Sequence, residues 1–262
     1  MAGVEAIRLG LKIWSTNLFY VEPARELYRR KIFDYIELYA VPGSASSCIG
    51  AWSRMGIPFC LHAPHAYSGF NLAKWHQVEE NRTLLDELRL FVESLQPAYV
   101  IFHPGIEGTA QETIRQIGVF RKTHDDVFCR ALLENKPFLG IHGEICIGAS
   151  PEEVSLLLKE TGLQFCLDMG HALAYAAWAK RNPDVVLDEF LTLRPKMFHL
   201  ADGDRDSFVD QHRNLGRGNY DIGGMLQRIP PGACLTLEAE KTPHLSLRDF
   251  EEDVLYVRKR LS

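Results

Sequence analysis

The chain has 262 residues, of which 46% are hydrophobic and 24% are charged, and this composition is typical of a folded globular protein and excludes intrinsic disorder. The formal net charge is −5, so the chain lacks the overall basic charge that draws proteins to nucleic acids regardless of sequence. Several divalent cations bound at one surface would reverse the charge there, so the net charge does not decide the substrate.

Neither a membrane segment nor a secretion signal is predicted. No run reaches the roughly 18 apolar residues of a spanning helix, and the opening MAGVEAIRLGLKIW lacks the charged start of a secretion signal. The six cysteines contain no CxxC pair and are expected to be buried reduced thiols. They are Cys48, Cys60, Cys129, Cys146, Cys166 and Cys234. We therefore expect a cytoplasmic protein with no membrane partner and no obligate protein partner.

Eight short apolar or β-branched segments alternate with longer segments of helical period. In chain order they are AIRLGLKIW, FDYIELYAV, IPFCLHAP, PAYVIFHPG, RALLENKP, LQFCLDMGHA, PKMFHLADGD and ACLTLEAEK. Such nearly continuous apolar segments are typical of parallel strands, because helices cover both faces of a parallel sheet.

The intervening segments carry helix signals. WHQVEENRTLLDELRLFVESL has apolar residues three and four apart, and Ser150 is an expected N-cap before the acidic first turn of PEEVSLLLKETG. The segment VPGSASSCIGAWSRMG predicts a loop that runs into a helix. Because no linker breaks the series, we predict an α/β protein, a (β/α)8 TIM barrel that forms a single domain over residues 1–262.

Residue types that bind metals end six consecutive predicted strands, and the active site of such a barrel lies at the carboxyl ends of its strands. These residues are His62, His103, Glu134, Asp168 with His171 just beyond it, His199 and Glu238. The loop after the seventh strand adds Asp210 and His212, which share one face of an extended chain because they are two positions apart.

A single strand-end histidine is more often a hydrogen-bonded rim residue than a ligand. The set favours metal binding, because carboxylates at the ends of apolar strands would leave buried charge unpaired unless cations neutralise it. Since a zinc ion takes about four ligands, the set is large enough for two or three ions. Histidine and carboxylate ligands without sulfur also suit Mn²⁺ or Fe²⁺.

The other polar candidates have weaker signals. A surface or supporting role is expected for His65, His76, His124, His142 and His244, although His65 is only three residues from His62. Glu37, inside the second predicted strand, is expected to support a ligand as its charge partner. There is no GxSxG segment and no P-loop, so covalent nucleophilic catalysis is disfavoured.

Seven segments in order resemble the endonuclease IV family, AP endonuclease family 2, within the xylose isomerase-like TIM-barrel superfamily. They are HAP with FNLA from His62 to Ala73, FHPG at His103, LLEN at Glu134, LDMGHA at Asp168, FHLADG at His199, DQHRNLGRGN at Asp210 and LEAE at Glu238. The resemblance runs over most of the barrel, from about IPFCLHAP to LTLEAE.

The resemblance implies a trinuclear zinc site that hydrolyses phosphodiesters and cuts DNA on the 5′ side of abasic sites. One ion would be held by His62 and His103, with Glu134 as a bridge to the second ion. Asp168, His199 and Glu238 would complete the second ion, and these three with Glu134 are the implied catalytic residues. The third ion would be held by His171, Asp210 and His212.

The resemblance also places substrate contacts in the loops. Tyr67 would stack on a base, and Arg205, Arg213 and Arg217 would contact phosphates. The loop at 41–54 departs from the family pattern, because it has no arginine before Arg54 where the family carries arginine and aromatic residues.

A sugar or sugar-phosphate isomerase or epimerase is the alternative on the same barrel. Such relatives need one Mn²⁺ or Mg²⁺, held by the four implied catalytic residues, and Arg205 resembles their substrate-binding arginine. Their mechanism expects a second acid/base carboxylate where this chain has Gly140, and it has no use for a third metal pocket. A third hypothesis is a barrel that binds a metabolite without catalysis, and it has no positive support.

Overall fold

The computed structural model describes residues 6–241 and 246–261. The strands in this part of the chain are β1 (Arg8–Trp14), β2 (Tyr35–Tyr39), β3 (Phe59–His62), β4 (Val100–Phe102), β5 (Ala131–Glu134), β6 (Gln164–Asp168), β7 (Met197–Leu200) and β8 (Cys234–Leu237). All pair in parallel with their neighbours in sequence, and β8 pairs with β1 to close the barrel. The predicted TIM barrel is confirmed.

Helices alternate with the strands in the described residues. They are α1 (Val21–Arg29), α2 (Ala45–Ser53), α3 (Val78–Leu95), α4 (Ala110–Phe120), α5 (Asp125–Phe128), α6 (Pro151–Thr161), α7 (Met169–Trp178), α8 (Pro183–Thr192), α9 (Ile222–Gln227) and α10 (Arg248–Leu261). The hydroxyl of Ser150 accepts the N–H of Glu153 at 3.2 Å, which confirms the expected N-cap of α6. None of these helices combines the length and apolar composition that crossing a membrane demands.

Side chains on each strand alternate between the barrel interior and the surrounding helices. A buried layer inside the barrel consists of Tyr35, Cys60, Ile101, Leu132, Cys166, Met197 and Cys234. The intervening strand residues, such as Leu61 and Leu133, belong to the larger core between strands and helices. The interior layer fills the barrel below the carboxyl ends of the strands.

Gly10 makes room for the largest side chain of this layer. A Cβ atom at Gly10 would lie 2.4 Å from the ring of Tyr35. The hydroxyl of Tyr35 forms a 2.9 Å hydrogen bond with the hydroxyl of Thr236 across the barrel. The hydroxyl end of the ring therefore occupies the space beside Gly10 and is held there by Thr236.

All six cysteines are free thiols, as predicted, and five are buried. Cys129 is exposed, so the prediction of burial is wrong at this position. It follows the last residue of the short helix α5, whereas Cys60, Cys166 and Cys234 belong to the interior layer.

Candidate metal centre

The polar groups of the site lie one step above the interior layer. Side chains two positions apart on a strand share a face, so each layer residue is followed by a second inward-facing residue. Those second residues are Glu37, His62, His103, Glu134, Asp168, His199 and Thr236. The alternation that fills the barrel therefore also brings the predicted strand-end ligands together at one end of it.

Among the residues that the structure describes, four groups of side chains have ligand atoms that all lie within 4.8 Å of one another, close enough to share a metal ion. The groups are His62 with His103 and Glu134, Glu134 with Asp168 and His199, Glu37 with His199 and Glu238, and His171 with Asp210 and His212. Every predicted ligand belongs to at least one group, and Glu134 and His199 each belong to two.

Glu134 is the centre of the arrangement. One of its carboxylate oxygens lies 3.2 Å from Nε2 of His62 and 3.2 Å from Nε2 of His103. The other lies 3.2 Å from Nδ1 of His171. Burial would raise the pKa of Glu134, but His103 and His199 hold it well below its usual range. The side chain is therefore a carboxylate at neutral pH.

Main-chain hydrogen bonds orient two of the histidines. Nδ1 of His62 donates to the carbonyl of Ala63 at 2.7 Å, and Nδ1 of His171 donates to the carbonyl of Asn135 at 2.9 Å. Nε2 of His62 lies 3.2 Å from Glu134 and Nε2 of His171 lies 3.6 Å from Asp210, and in the tautomer with its N–H on Nδ1 each ring has a lone pair on Nε2. A lone pair that faces a carboxylate is repelled unless a cation lies between them, and metal-binding histidines are held in this way.

His199 is oriented by a carboxylate. Its Nε2 donates to Glu37 at 2.9 Å, and the same Glu37 oxygen accepts the hydroxyl of Thr236 at 2.7 Å. This leaves Nδ1 directed at the site, 2.8 Å from a carboxylate oxygen of Glu238. Glu37 thus contacts the candidate ligand His199, in the position expected for its charge partner, and it also belongs to one of the candidate groups.

Lys12 was not predicted as a site residue, yet its side chain lies among the candidate metal-binding side chains. Its ammonium is 2.6 Å from an oxygen of Glu37 and also contacts Glu238. Burial would lower the pKa of Lys12, but Glu238 and Glu37 raise it well above its usual value. The available signal was a lysine two positions after Gly10, on the inward face of an apolar strand.

The site carries an excess of buried negative charge. Its carboxylates are those of Glu37, Glu134, Asp168, Asp210 and Glu238, and Lys12 is the ammonium in contact with them. Burial raises the pKa of Asp168 to about 6, and the nearby carboxylates of Asp210 and Glu134 add to the effect of burial. Crowded carboxylates of this kind are stabilised by cations.

Three buried atoms at the centre form no hydrogen bond of good geometry in the described part of the chain, although each has an ionisable neighbour within 3.2 Å. They are Oε1 of Glu134, Nδ1 of His199 and Oδ2 of Asp210. Unpaired polar atoms are costly when buried, and each of these belongs to a ligand group. The donor set of imidazole nitrogens and carboxylate oxygens therefore fits bound divalent cations.

Asn135 was not predicted as a site residue. Its side chain links the end of β5 to the end of β6. Its side chain donates to the carbonyl of Asp168 at 2.9 Å and accepts the N–H of Asp168 at 2.8 Å. Its own carbonyl accepts from His171. One buried residue next to Glu134 therefore positions ligands of two different groups.

The loop after β7 is held by Asp202. The carboxylate of Asp202 accepts the N–H groups of Gly216 at 2.8 Å and of Gly218 at 3.0 Å. Its main chain pairs with Arg213. His212 has a φ of 46°, a conformation that costs energy in a residue other than glycine or asparagine. The loop thus holds His212 toward Asp210, 3.2 Å away between Nε2 and Oδ2.

A cavity of about 710 Å³ opens over the ligands. Besides ligands of the metal groups, its walls include three lysines and several large apolar side chains. These are Lys12, Lys136, Lys241, Trp14, Phe19 and Ile141. The cavity is of the size of a small-molecule site.

The predicted substrate residues differ in their relation to this cavity. Tyr67 lines it, and its hydroxyl donates to Glu144 at 2.8 Å. Arg205 and Arg213 are exposed, and neither is among the residues that line the cavity in the described part of the chain. The two arginines can therefore contact only a substrate that extends beyond the cavity.

His65 is more buried than a residue in the expected surface or supporting role would be. It lines the cavity, its ring centre is 4.7 Å from that of Tyr39, and burial lowers its pKa to about 3. His76 and His142 are exposed, and His124 is buried beside Asp86. His244 lies outside the described residues.

Comparisons with known proteins extend this picture. The family model described as a xylose isomerase-like TIM barrel matches residues 33–259. The "Probable endonuclease 4" of Thermoplasma volcanium is 28% identical over 213 residues, which are 75% of this chain and 72% of that protein. Two solved structures share the fold. The crystal structure of endonuclease IV from Thermus thermophilus has a TM-score of 0.70 at 24% identity, covering 97% of this chain and 98% of that chain.

The second is the crystal structure of a D-tagatose 3-epimerase-like protein, which has a TM-score of 0.70 at 18% identity and covers 97% of both chains. At this identity the two structures support the fold alone. The family match spans most of the barrel and all of the candidate ligand residues, which confirms the resemblance seen in the sequence. This chain therefore belongs to AP endonuclease family 2, the family of xylose isomerase-like TIM barrels.

Proposed function

We propose that this protein is a zinc-dependent phosphodiester hydrolase that cleaves DNA on the 5′ side of abasic sites. The observation that carries the proposal is the third ligand group, His171 with Asp210 and His212, next to the two groups that share Glu134. A sugar isomerase needs one cation, whereas in-line attack on a phosphodiester benefits from several cations around the phosphate. The name of the relative from Thermoplasma volcanium, "Probable endonuclease 4", supports the same chemistry.

Each residue has a definite task in this proposal. Glu134 would bridge two ions, with His62 and His103 on one side and Asp168, His199 and Glu238 on the other. Zinc at these positions would activate water and neutralise charge on the phosphate. Glu37 accepts the Nε2 proton of His199, so Nδ1 would be the nitrogen of this ring that holds an ion.

The test measures metal content and cleavage activity on the same protein preparation. Protein purified without chelator is subjected to elemental analysis and then incubated with a duplex that contains one synthetic abasic site, with the undamaged duplex as control. We expect about two to three zinc ions per chain and a single cut on the 5′ side of the abasic site. An intact duplex with fully zinc-loaded protein would exclude the proposal.

A sugar or sugar-phosphate isomerase is the second candidate, and the cavity favours it. Its volume of about 710 Å³ is typical of sites for small molecules, although Arg205, the arginine expected to bind a sugar, is not among its lining residues. One Mn²⁺ or Mg²⁺ held by Glu134, Asp168, His199 and Glu238 would suffice. A single such ion per chain, with an intact duplex and turnover of a ketose or sugar phosphate, would support this candidate over the nuclease.

A further inference from the structure

We infer that Asp253, on helix α10, is a positioning residue for the third ion of the proposed metal centre. Asp253 is not a member of any of the four candidate ligand groups. It acts through Asn214 and Leu215, which follow the candidate ligand His212 by two and three positions in the loop after β7. The inference rests on the proposed function for the existence of this ion, and it makes α10 part of the support of the metal centre.

The carboxylate of Asp253 holds the loop with both of its oxygens. Its Oδ1 accepts the N–H of Leu215 at 2.8 Å, and its Oδ2 accepts from the side-chain amide of Asn214 at 2.9 Å. The residue is 3% exposed. Burial raises the pKa of Asp253 to about 6, so the group is a carboxylate at neutral pH. Hydrogen bonds to a carboxylate are stronger than those between neutral groups, and two adjacent loop residues are therefore fixed to α10.

Asn214 also connects the loop to the end of β8. Its side-chain amide donates to the carbonyl of Glu240 at 3.0 Å, and the N–H of Glu240 donates to the carbonyl of His212 at 2.8 Å. Glu240 is two positions after the candidate ligand Glu238. The amide of Asn214 thus bridges α10 and the end of β8, and the main chain of His212 is bonded to the same strand end.

His212 needs this support from its main chain. Its φ of 46° is a conformation that a histidine keeps only when the surrounding structure holds it. The residue is half-buried at the rim, and its Nε2 lies 3.2 Å from Oδ2 of Asp210. Without the bonds from Asp253 the loop can relax to a more favourable φ, which would move the imidazole away from Asp210.

The experiment compares the affinities of the individual zinc ions. Metal-free wild type and Asp253→Ala are titrated with zinc by calorimetry, and His212→Ala identifies the third ion as the one that this variant loses. Asp253→Ala should lower the affinity for that ion about 10–100-fold, because loss of a residue that orients a ligand has an effect of this size. The affinities for the other ions should be unchanged. Hydrogen exchange of the Leu215 amide should also become faster in the metal-free variant, because its acceptor is gone.

Further variants separate positioning from a general loss of stability. Asp253→Asn has one acceptor oxygen in place of two, so it should weaken the third ion less than Asp253→Ala does. Asn214→Ala should weaken the same ion. Glu252→Ala, at the adjacent exposed position of α10, should leave every affinity unchanged. Asn81→Ala, which removes a buried polar side chain far from the ligands in sequence, should lower stability alone.

The outcomes distinguish this inference from the proposed function. Wild-type affinity for the third ion in Asp253→Ala, or equal weakening of all the ions, would overturn the inference and leave the nuclease untouched. Weakening of the third ion alone, in a protein that leaves the abasic duplex intact, would retain the inference and exclude the nuclease. If Asp253→Ala does not fold, Asp253→Asn and Asn214→Ala decide by the same comparison. If His212→Ala loses no ion, there is no third ion to position and the inference is wrong.

Discussion

The ammonium of Lys12 lies 2.6 Å from a carboxylate oxygen of Glu37 and contacts Glu238, a member of a potential metal-binding group. A lysine thus occupies the interior of a site that is otherwise rich in carboxylates. Its charge holds Glu37 and Glu238 together without a metal ion, and the pKa of Glu37 is lowered to about 2 by His199 and Lys12 despite burial. The protein therefore has a built-in counter-ion for part of its ligand set.

Lys12→Met should destabilise the metal-free protein, because the two carboxylates would then be buried without their cation. Removal of one partner from a buried charge group costs about 3–5 kcal/mol. Added zinc should restore most of this loss. Thermal unfolding in chelator and in zinc measures the effect, with Lys122→Met on the surface as control. An unchanged melting temperature in chelator would contradict the counter-ion role.

Glu134→Gln should abolish activity and remove more than one ion per chain, because one carboxylate serves two ligand groups. The amide has the same shape but one acceptor oxygen and no charge. Elemental analysis together with the cleavage assay measures both effects. The exposed Glu160→Gln on α6 is the control. Full metal content and turnover in Glu134→Gln would show that this residue is not a bridge.

His212→Ala should lower the metal content by about one ion and leave the fold intact, since His212 is at the rim with 37% of its side chain exposed. Circular dichroism and elemental analysis measure the two quantities, and the exposed His76→Ala is the matched control. Unchanged stoichiometry would remove the third pocket and with it the main argument for phosphodiester chemistry.

The barrel and the residue types at its strand ends were predictable from the sequence because their signals are local. Alternation along a strand relates Cys60 to His62 and Leu132 to Glu134 within three residues. The helix start at Ser150 also depends on neighbours in sequence. These features need no knowledge of which strands meet.

Lys12 was not predictable in this way. Its carboxylate partners, Glu37 and Glu238, are 25 and 226 residues away in sequence, and a lysine has no metal-ligand chemistry of its own. The cavity wall was also not predictable from local sequence, because Trp14 and Ile141 come from loops and strand ends far apart in the chain. Such contacts follow from closure of the barrel and not from any local pattern.

Gly10→Ala should destabilise the protein by about 1–3 kcal/mol, because overpacking of a filled interior has this cost. The added methyl group would lie 2.4 Å from the ring of Tyr35, which its bond to Thr236 holds in place. Gly118→Ala is an opposite control, since Gly118 is exposed on α4 and a Cβ there meets nothing within 4 Å. It should stabilise α4 by about 0.5–1 kcal/mol. Chemical denaturation measures both, and equal effects would contradict the packing argument.

Asn135→Ala should weaken metal binding without removing a ligand. The substitution breaks both hydrogen bonds to the main chain of Asp168, and loss of a residue that orients a ligand lowers metal affinity about 10–100-fold. It should also cost about 1–3 kcal/mol of stability through unpaired buried groups. Asn81→Ala separates the two effects, because Asn81 is equally buried and bonds to Asn71 and Gln116, which are not ligands. The Asn81→Ala variant should lose a similar amount of stability and retain its zinc affinity. Zinc titration calorimetry and denaturation of both variants measure this, and equal zinc affinities would mean that Asn135 stabilises the barrel without positioning Asp168.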